Sequence, residues 1–169
     1  VSAGRLPPRH LLVRDAAVFG LTAGLWWFDA RARGGAGALP VVVGVLAGVA
    51  AAACGFLLHE YGHLGASLAT GATVSYPPSP FSALLFHFDS ARSDRRQFFA
   101  MSFGGYGATL VAVAALAAFA PLDAWSGRVA LALAGLGSLV TFALEVPITV
   151  RVWRGAPLPS GVAYRRHGG

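Results

Sequence analysis

The chain contains no lysine, one cysteine and few charges of either sign. With Cys54 alone, no internal disulfide can form and a cysteine-based zinc knuckle is excluded. Cys54 sits in an Ala-rich run, where a small packing residue is expected. Every basic residue is Arg, and the excess over acids leaves a formal net charge of +6. No interleaved aromatic-basic face accompanies it, so positively charged loops flanking a membrane explain the charge better than nucleic-acid binding. Charged residues make up 12% of the chain and apolar ones 56%, too much apolar surface for a soluble domain of 169 residues to bury. Lipid is the expected solvent, around a single domain spanning 1–169.

Four apolar segments have the length that crosses hydrocarbon: about Leu11–Ala30, Leu39–Ala69, Phe98–Ala120 and Arg128–Val150. The expected fold is an all-α integral membrane bundle of about four transmembrane helices. The first segment also resembles a signal peptide, since Arg5, Arg9 and Arg14 precede an apolar stretch. "WWFDARARGG" puts arginines where a cleavage site needs small residues, and Trp26 and Trp27 read as an interfacial belt. The first residue is Val, as in a fragment or a non-standard start codon read literally. Arg5, Arg9, Arg14, Arg92, Arg95, Arg96, Arg151, Arg154, Arg165 and Arg166 fall in the N-terminal segment, the central loop and the C-terminal segment. The other two loops hold Arg31, Arg33 and Arg128. The positive-inside rule then places both termini and the central loop in the cytoplasm, in a bacterial inner membrane.

In the central loop, Pro77, Pro78 and Pro80 stop any helix. "ALLFHFD" fits a short strand or hairpin edge. His87 and Asp89 alternate onto one face of that strand, where solvent is a simpler expectation than substrate guidance. Gly104, Gly105, Gly107 and Ala108, then Gly135, Gly137 and Ser138, are the small residues that let helices approach closely in lipid.

The chemistry lies in "GFLLHEYGHLGASLATGA", Gly55 to Ala72. His59, Glu60 and His63 form H-E-x-x-H. Residues four apart share a helix face, so both imidazoles reach one cation while Glu60 stands beside them as a general base. Three ionisable groups in five residues of a membrane helix are costly unless paired, solvated or ligating, and zinc ligation outweighs a hydrogen-bonded polar plug. A third ligand is needed. Glu145, in "TFALEVPITV", falls at the same depth as His63, each about two turns or less from the cytoplasmic boundary. Pro147 is expected to open the helix beside it. The competing reading is a protonated Glu145 bonded to Ser138, Thr141 or Thr149. Asp15 also lies near that level, but Arg14 beside it gives a cheaper explanation. Asp123 belongs to the opposite side, and His10 and His167 to solvated ends.

"HEYGHLGASLATGATVSYPPSPF" resembles the site-2 protease family of intramembrane zinc metalloproteases, on His59, Glu60, Gly62, His63, Ala66, Ala69, Gly71 and Val74. "SDRRQFFAMSFGGYGATLVA" is similar to the family's next helix, so the resemblance covers about Leu57 to Ala112. It implies one zinc ion, water activated by the metal with Glu60 as base, and hydrolysis of membrane-protein or peptide substrates presented as an extended strand beside the Pro-rich loop. The family's third ligand is an aspartate in an Asp-Gly element. "LPSG" here carries Ser160 at that place, which directs the search to Glu145. A catalytically inactive relative, acting as a membrane scaffold or binder, is the alternative. A metal-dependent lipid hydroxylase would need many more histidines.

Overall fold

The computed structural model describes residues 7–35, 37–161 and 163–165. Among them, four helices carry the architecture: α1 (Arg9–Ala32), α2 (Leu39–Ala69), α3 (Arg95–Phe119) and α4 (Trp125–Trp153). All four are long and apolar enough to cross a membrane. At 31 residues, α2 rises about 46 Å, more than a hydrocarbon core requires. It is the central helix and packs against the other three.

Many large apolar side chains lie on the outside of the bundle, as is consistent with helices that cross a membrane. Leu136, Leu139, Val140 and Leu144 of α4 and Leu110 and Val111 of α3 point outward. Small residues are instead placed between helices. A side chain on Gly62 or Gly104 would collide with the carbonyl of the other glycine, so α2 and α3 cross backbone to backbone. Gly44 and Gly48 admit Trp125, Ser126 and Val129 of α4 in the same way. Gly107, Gly135 and Gly137 have open space where a side chain would be, so the expected glycine packing holds for Gly104 and Gly105 and fails for these three. Trp26 also joins two helices: its indole N–H donates to the Ala47 carbonyl across the α1–α2 contact, at 2.9 Å.

Local sequence sets the helix ends. Gly71, with φ +71°, closes α2. The amide of Ala72 reaches Ser67 O at 2.9 Å and that of Gly71 reaches Leu68 O at 3.1 Å, a Schellman ending that a left-handed glycine allows. Asp94 starts α3 with a capping box, its carboxylate accepting from the Gln97 amide while Gln97 Oε1 accepts from the Asp94 amide. Gln97 Nε2 then donates to Thr70 O, joining the start of α3 to the end of α2.

The segment between α2 and α3 contributes β1 (Val74–Ser75) and β2 (His87–Asp89), paired antiparallel, and β3 (Tyr164–Arg165) joins β2 in parallel. A short strand in "ALLFHFD" was legible in the sequence; its partners β1 and β3 were not. This small sheet roofs one end of the bundle. Beneath it Leu11, Leu64, Val74, Leu85, Phe88, Phe98, Met101 and Val152 form the buried core. His87 and Asp89 do not face solvent: both are buried in β2, and Asp89 Oδ1 accepts from the amides of Ala91 and Arg92. The arginine-bearing segments meet at this end. Arg14 holds the carbonyls of Pro80 and Ser82, and Arg95 those of Val152, Gly155 and Ala156.

Candidate metal centre

His59 and His63 lie one turn apart on the buried face of α2, with ring centroids 4.3 Å apart. α3 runs antiparallel against that face and holds both rings. His63 Nδ1 lies 2.8 Å from Met101 O, while His59 Nδ1 lies 3.2 Å from Gly105 O and 2.8 Å from Thr109 Oγ1. Met101, Gly105 and Thr109 follow one another at four-residue intervals, the same period that aligns the two histidines. Gly105 also makes the space, because a side chain there would occupy the His63 ring.

These contacts fix the tautomers. A carbonyl only accepts, so each Nδ1 must carry its proton and donate it. A neutral ring then presents a bare lone pair at Nε2. The two Nε2 atoms face each other at 2.9 Å, and Glu145 brings Oε1 to 3.3 Å from one and Oε2 to 3.4 Å from the other. Lone pairs so placed repel unless a cation, either a proton or a metal ion, lies among them. Ligands 2.0–2.1 Å from a tetrahedral zinc are about 3.3 Å apart, close to the three observed separations. One ligand atom from each of the three residues lies within 4.8 Å of the others. The donor set and its spacing therefore fit a metal ion, and the backbone contacts supply the outer support that metal-binding imidazoles use.

Glu145 arrives from α4, which runs parallel to α2. The helix is unbroken through Pro147, contrary to the opening expected there. Thr149 donates to the Glu145 carbonyl, at 3.2 Å, and exchanges a hydrogen bond with the Tyr106 hydroxyl. Ser138 bonds its own helix at Ala134 O. The Glu145 carboxylate is thus directed at the histidines rather than at neighbouring hydroxyls.

Glu60 lies beside the two histidines on α2. It is buried, and its Oε2 accepts from the Leu85 amide at 3.0 Å. Glu60, His63 and Glu145 border one partly open cavity of about 70 Å³, lined also by Phe86 and by Phe88 and Tyr164 of the sheet. Burial, and then the negative charge of Glu145, push the Tyr164 phenol up from its ordinary pKa, so it stays neutral.

The remaining candidates stay outside. Asp15 is buried but bonded to Arg14 at 2.6 Å and to the Tyr61 hydroxyl at 2.7 Å. Ser160 is exposed beyond α4, and Asp123 lies in the opposite turn, where its carbonyl accepts from Arg128. His10 is exposed, with Nε2 3.4 Å from Pro77 O, and His167 lies outside the described residues. Sequence reasoning missed Met101, Gly105, Thr109, Leu85 and Tyr164. The four-residue spacing of the first three was the available signal; the other two act through loop geometry. The chain matches no family model, no curated protein and no solved structure.

Proposed function

We propose that this chain is a multi-pass membrane metallopeptidase of the site-2 protease type, holding one zinc ion through His59, His63 and Glu145. The observation that carries the reading is the convergence of those three side chains from two helices, with Glu60 on the same cavity. The lipid-facing apolar surface and the clustering of arginines at one end support a bilayer setting with that end cytoplasmic.

A bound zinc ion supplies Lewis acidity, polarising a carbonyl and acidifying water. Glu60 then takes the proton of the attacking water and delivers it to the departing amide nitrogen. The Leu85 amide holds Oε2 of Glu60 and leaves the second oxygen for that transfer. Burial of the cluster limits competing bulk water. A helical substrate must unwind locally first, because its carbonyls are already bonded within the helix.

The Leu85 contact also favours a second reading, a metal-binding scaffold whose Glu60 is structural. Purified protein assayed for metal and for cleavage of a membrane-spanning substrate separates the two. The peptidase reading expects one zinc per chain and a Glu60→Gln variant that keeps zinc while cleavage falls by about 10²–10⁴-fold. Undiminished cleavage by Glu60→Gln, or a metal-free wild type, overturns it.

A further inference from the structure

We propose that the segment after α4 is a built-in cap, with Ala163–Arg165 occupying the edge of β2 where an extended peptide would dock at the metal centre. The inference rests on the peptidase reading and adds a regulatory device to the same site.

β2 is buried along its whole length and offers two edges. β1 takes one, and β3 takes the other in parallel, with Phe88 opposite Tyr164. The Phe88 amide donates to Ala163 O at 3.1 Å. Ala163 and Tyr164 thereby form one wall of the cavity bordered by Glu60, His63 and Glu145. The Tyr164 ring packs against Phe88 and Phe98, with centroids 6.5 and 6.2 Å away. The receptacle therefore takes an extended segment with a small residue followed by an aromatic one.

The occupant is placed to block rather than to react. Ala163 O is taken by the Phe88 amide, and Tyr164 O by the Gly161 amide at 2.9 Å. Each carbonyl is thus already engaged by a backbone amide of the protein. The attachment is also short. β3 is two residues long, held upstream by Ser90 Oγ on Pro159 O and by Arg95 on Gly155 O and Ala156 O. Strands with so few bonds open at low cost, so a competing peptide can displace this one by pairing with the same edge.

The test uses the full chain with zinc bound. Tyr164→Ala should speed hydrogen exchange at the Phe88 amide at least tenfold, speed zinc removal by a chelator, and raise substrate cleavage severalfold. A synthetic peptide matching Leu158 to Arg165 should reverse all three. Unchanged Phe88 exchange overturns the cap, as does reduced cleavage with zinc retained, which would assign Tyr164 to catalysis. A second variant works in the opposite direction. Ser90→Cys with Pro159→Cys, in a Cys54→Ser background, tethers the segment on oxidation. The oxidised form should cleave at least tenfold more slowly than the reduced form, and equal rates overturn the cap. If wild type and Tyr164→Ala both bind zinc but cleave nothing, the peptidase reading fails, and Phe88 exchange still decides whether the edge is capped.

Discussion

The imidazole of His63 occupies the space that any side chain at Gly105 would need. The same glycine turns its carbonyl to His59 Nδ1, at 3.2 Å. One residue of α3 thus makes room for one imidazole and orients the other.

Gly105→Ala tests that dual role. Alanine favours a helix over glycine by about 1 kcal/mol, so α3 should form at least as well. The added methyl displaces His63 from its contact with Met101. Zinc affinity is expected to fall by about 10–100-fold, the range for lost support of a metal-binding histidine, with helical content unchanged. Titration with a zinc chelator and circular dichroism on the same sample check both parts. Wild-type affinity would show that the ring tolerates displacement.

Thr109→Val removes a hydroxyl while nearly preserving shape. His59 Nδ1 loses its 2.8 Å partner and keeps the longer contact to Gly105 O. The remaining acceptor still holds the tautomer, so the expected loss is about tenfold in zinc affinity. Thr109→Ser should restore it, because the hydroxyl returns. A failure of serine to rescue would assign the effect to packing rather than to the hydrogen bond.

The parts of this architecture that follow a helical period could be read from the sequence. His59 and His63 had to share a face, and depth alone brought Glu145 to their level, as their 3.3 and 3.4 Å separations bear out. The four long helices followed from apolar length. What escaped was tertiary. Nothing in the alternation of "ALLFHFD" shows that the chain beyond α4 returns to cover β2, which buries His87 and Asp89. Pro147 suggested an opened helix, yet α4 continues through it, since the loss of one amide donor leaves the neighbouring turns intact. Asp29 gave no signal at all; its burial depends on Ser126, 97 positions away.

Glu145→Gln keeps the size of the third candidate ligand and removes its charge. The two bare Nε2 atoms would then face an amide, a poor zinc ligand. Zinc stoichiometry is expected to fall below one under conditions where wild type is saturated. Metal that binds only the native state stabilises it, by about 2.7 kcal/mol when free ligand is 100 times Kd. Chelation should therefore lower the thermal midpoint of wild type and leave that of Glu145→Gln unmoved. An equal downward shift in both would mean that Glu145 is not a ligand.

The far end of the bundle should be separable from the centre. Asp29 is buried, accepting from Arg33 just past the end of α1 at 2.7 Å and from Ser126 of α4 at 2.7 Å. Asp29→Ala removes the acceptor of both, and while the exposed Arg33 turns to solvent, the buried Ser126 hydroxyl loses its partner. Leaving a buried donor without its partner costs about 1–3 kcal/mol, so the thermal midpoint in detergent should fall. Ser126→Ala leaves the Asp29–Arg33 pair intact and should cost less. Gly44 and Gly48 seat α4 against α2 at this same end, whereas the histidines and Glu145 meet near the opposite one. Sites this far apart, sharing no partner, add independently. Zinc affinity should accordingly be unchanged in Asp29→Ala at temperatures where the fold is intact. A matching loss of zinc would show instead that Glu145 is aligned by the anchoring of α4 at its start, and that the helix transmits its seating rigidly to the metal ligands.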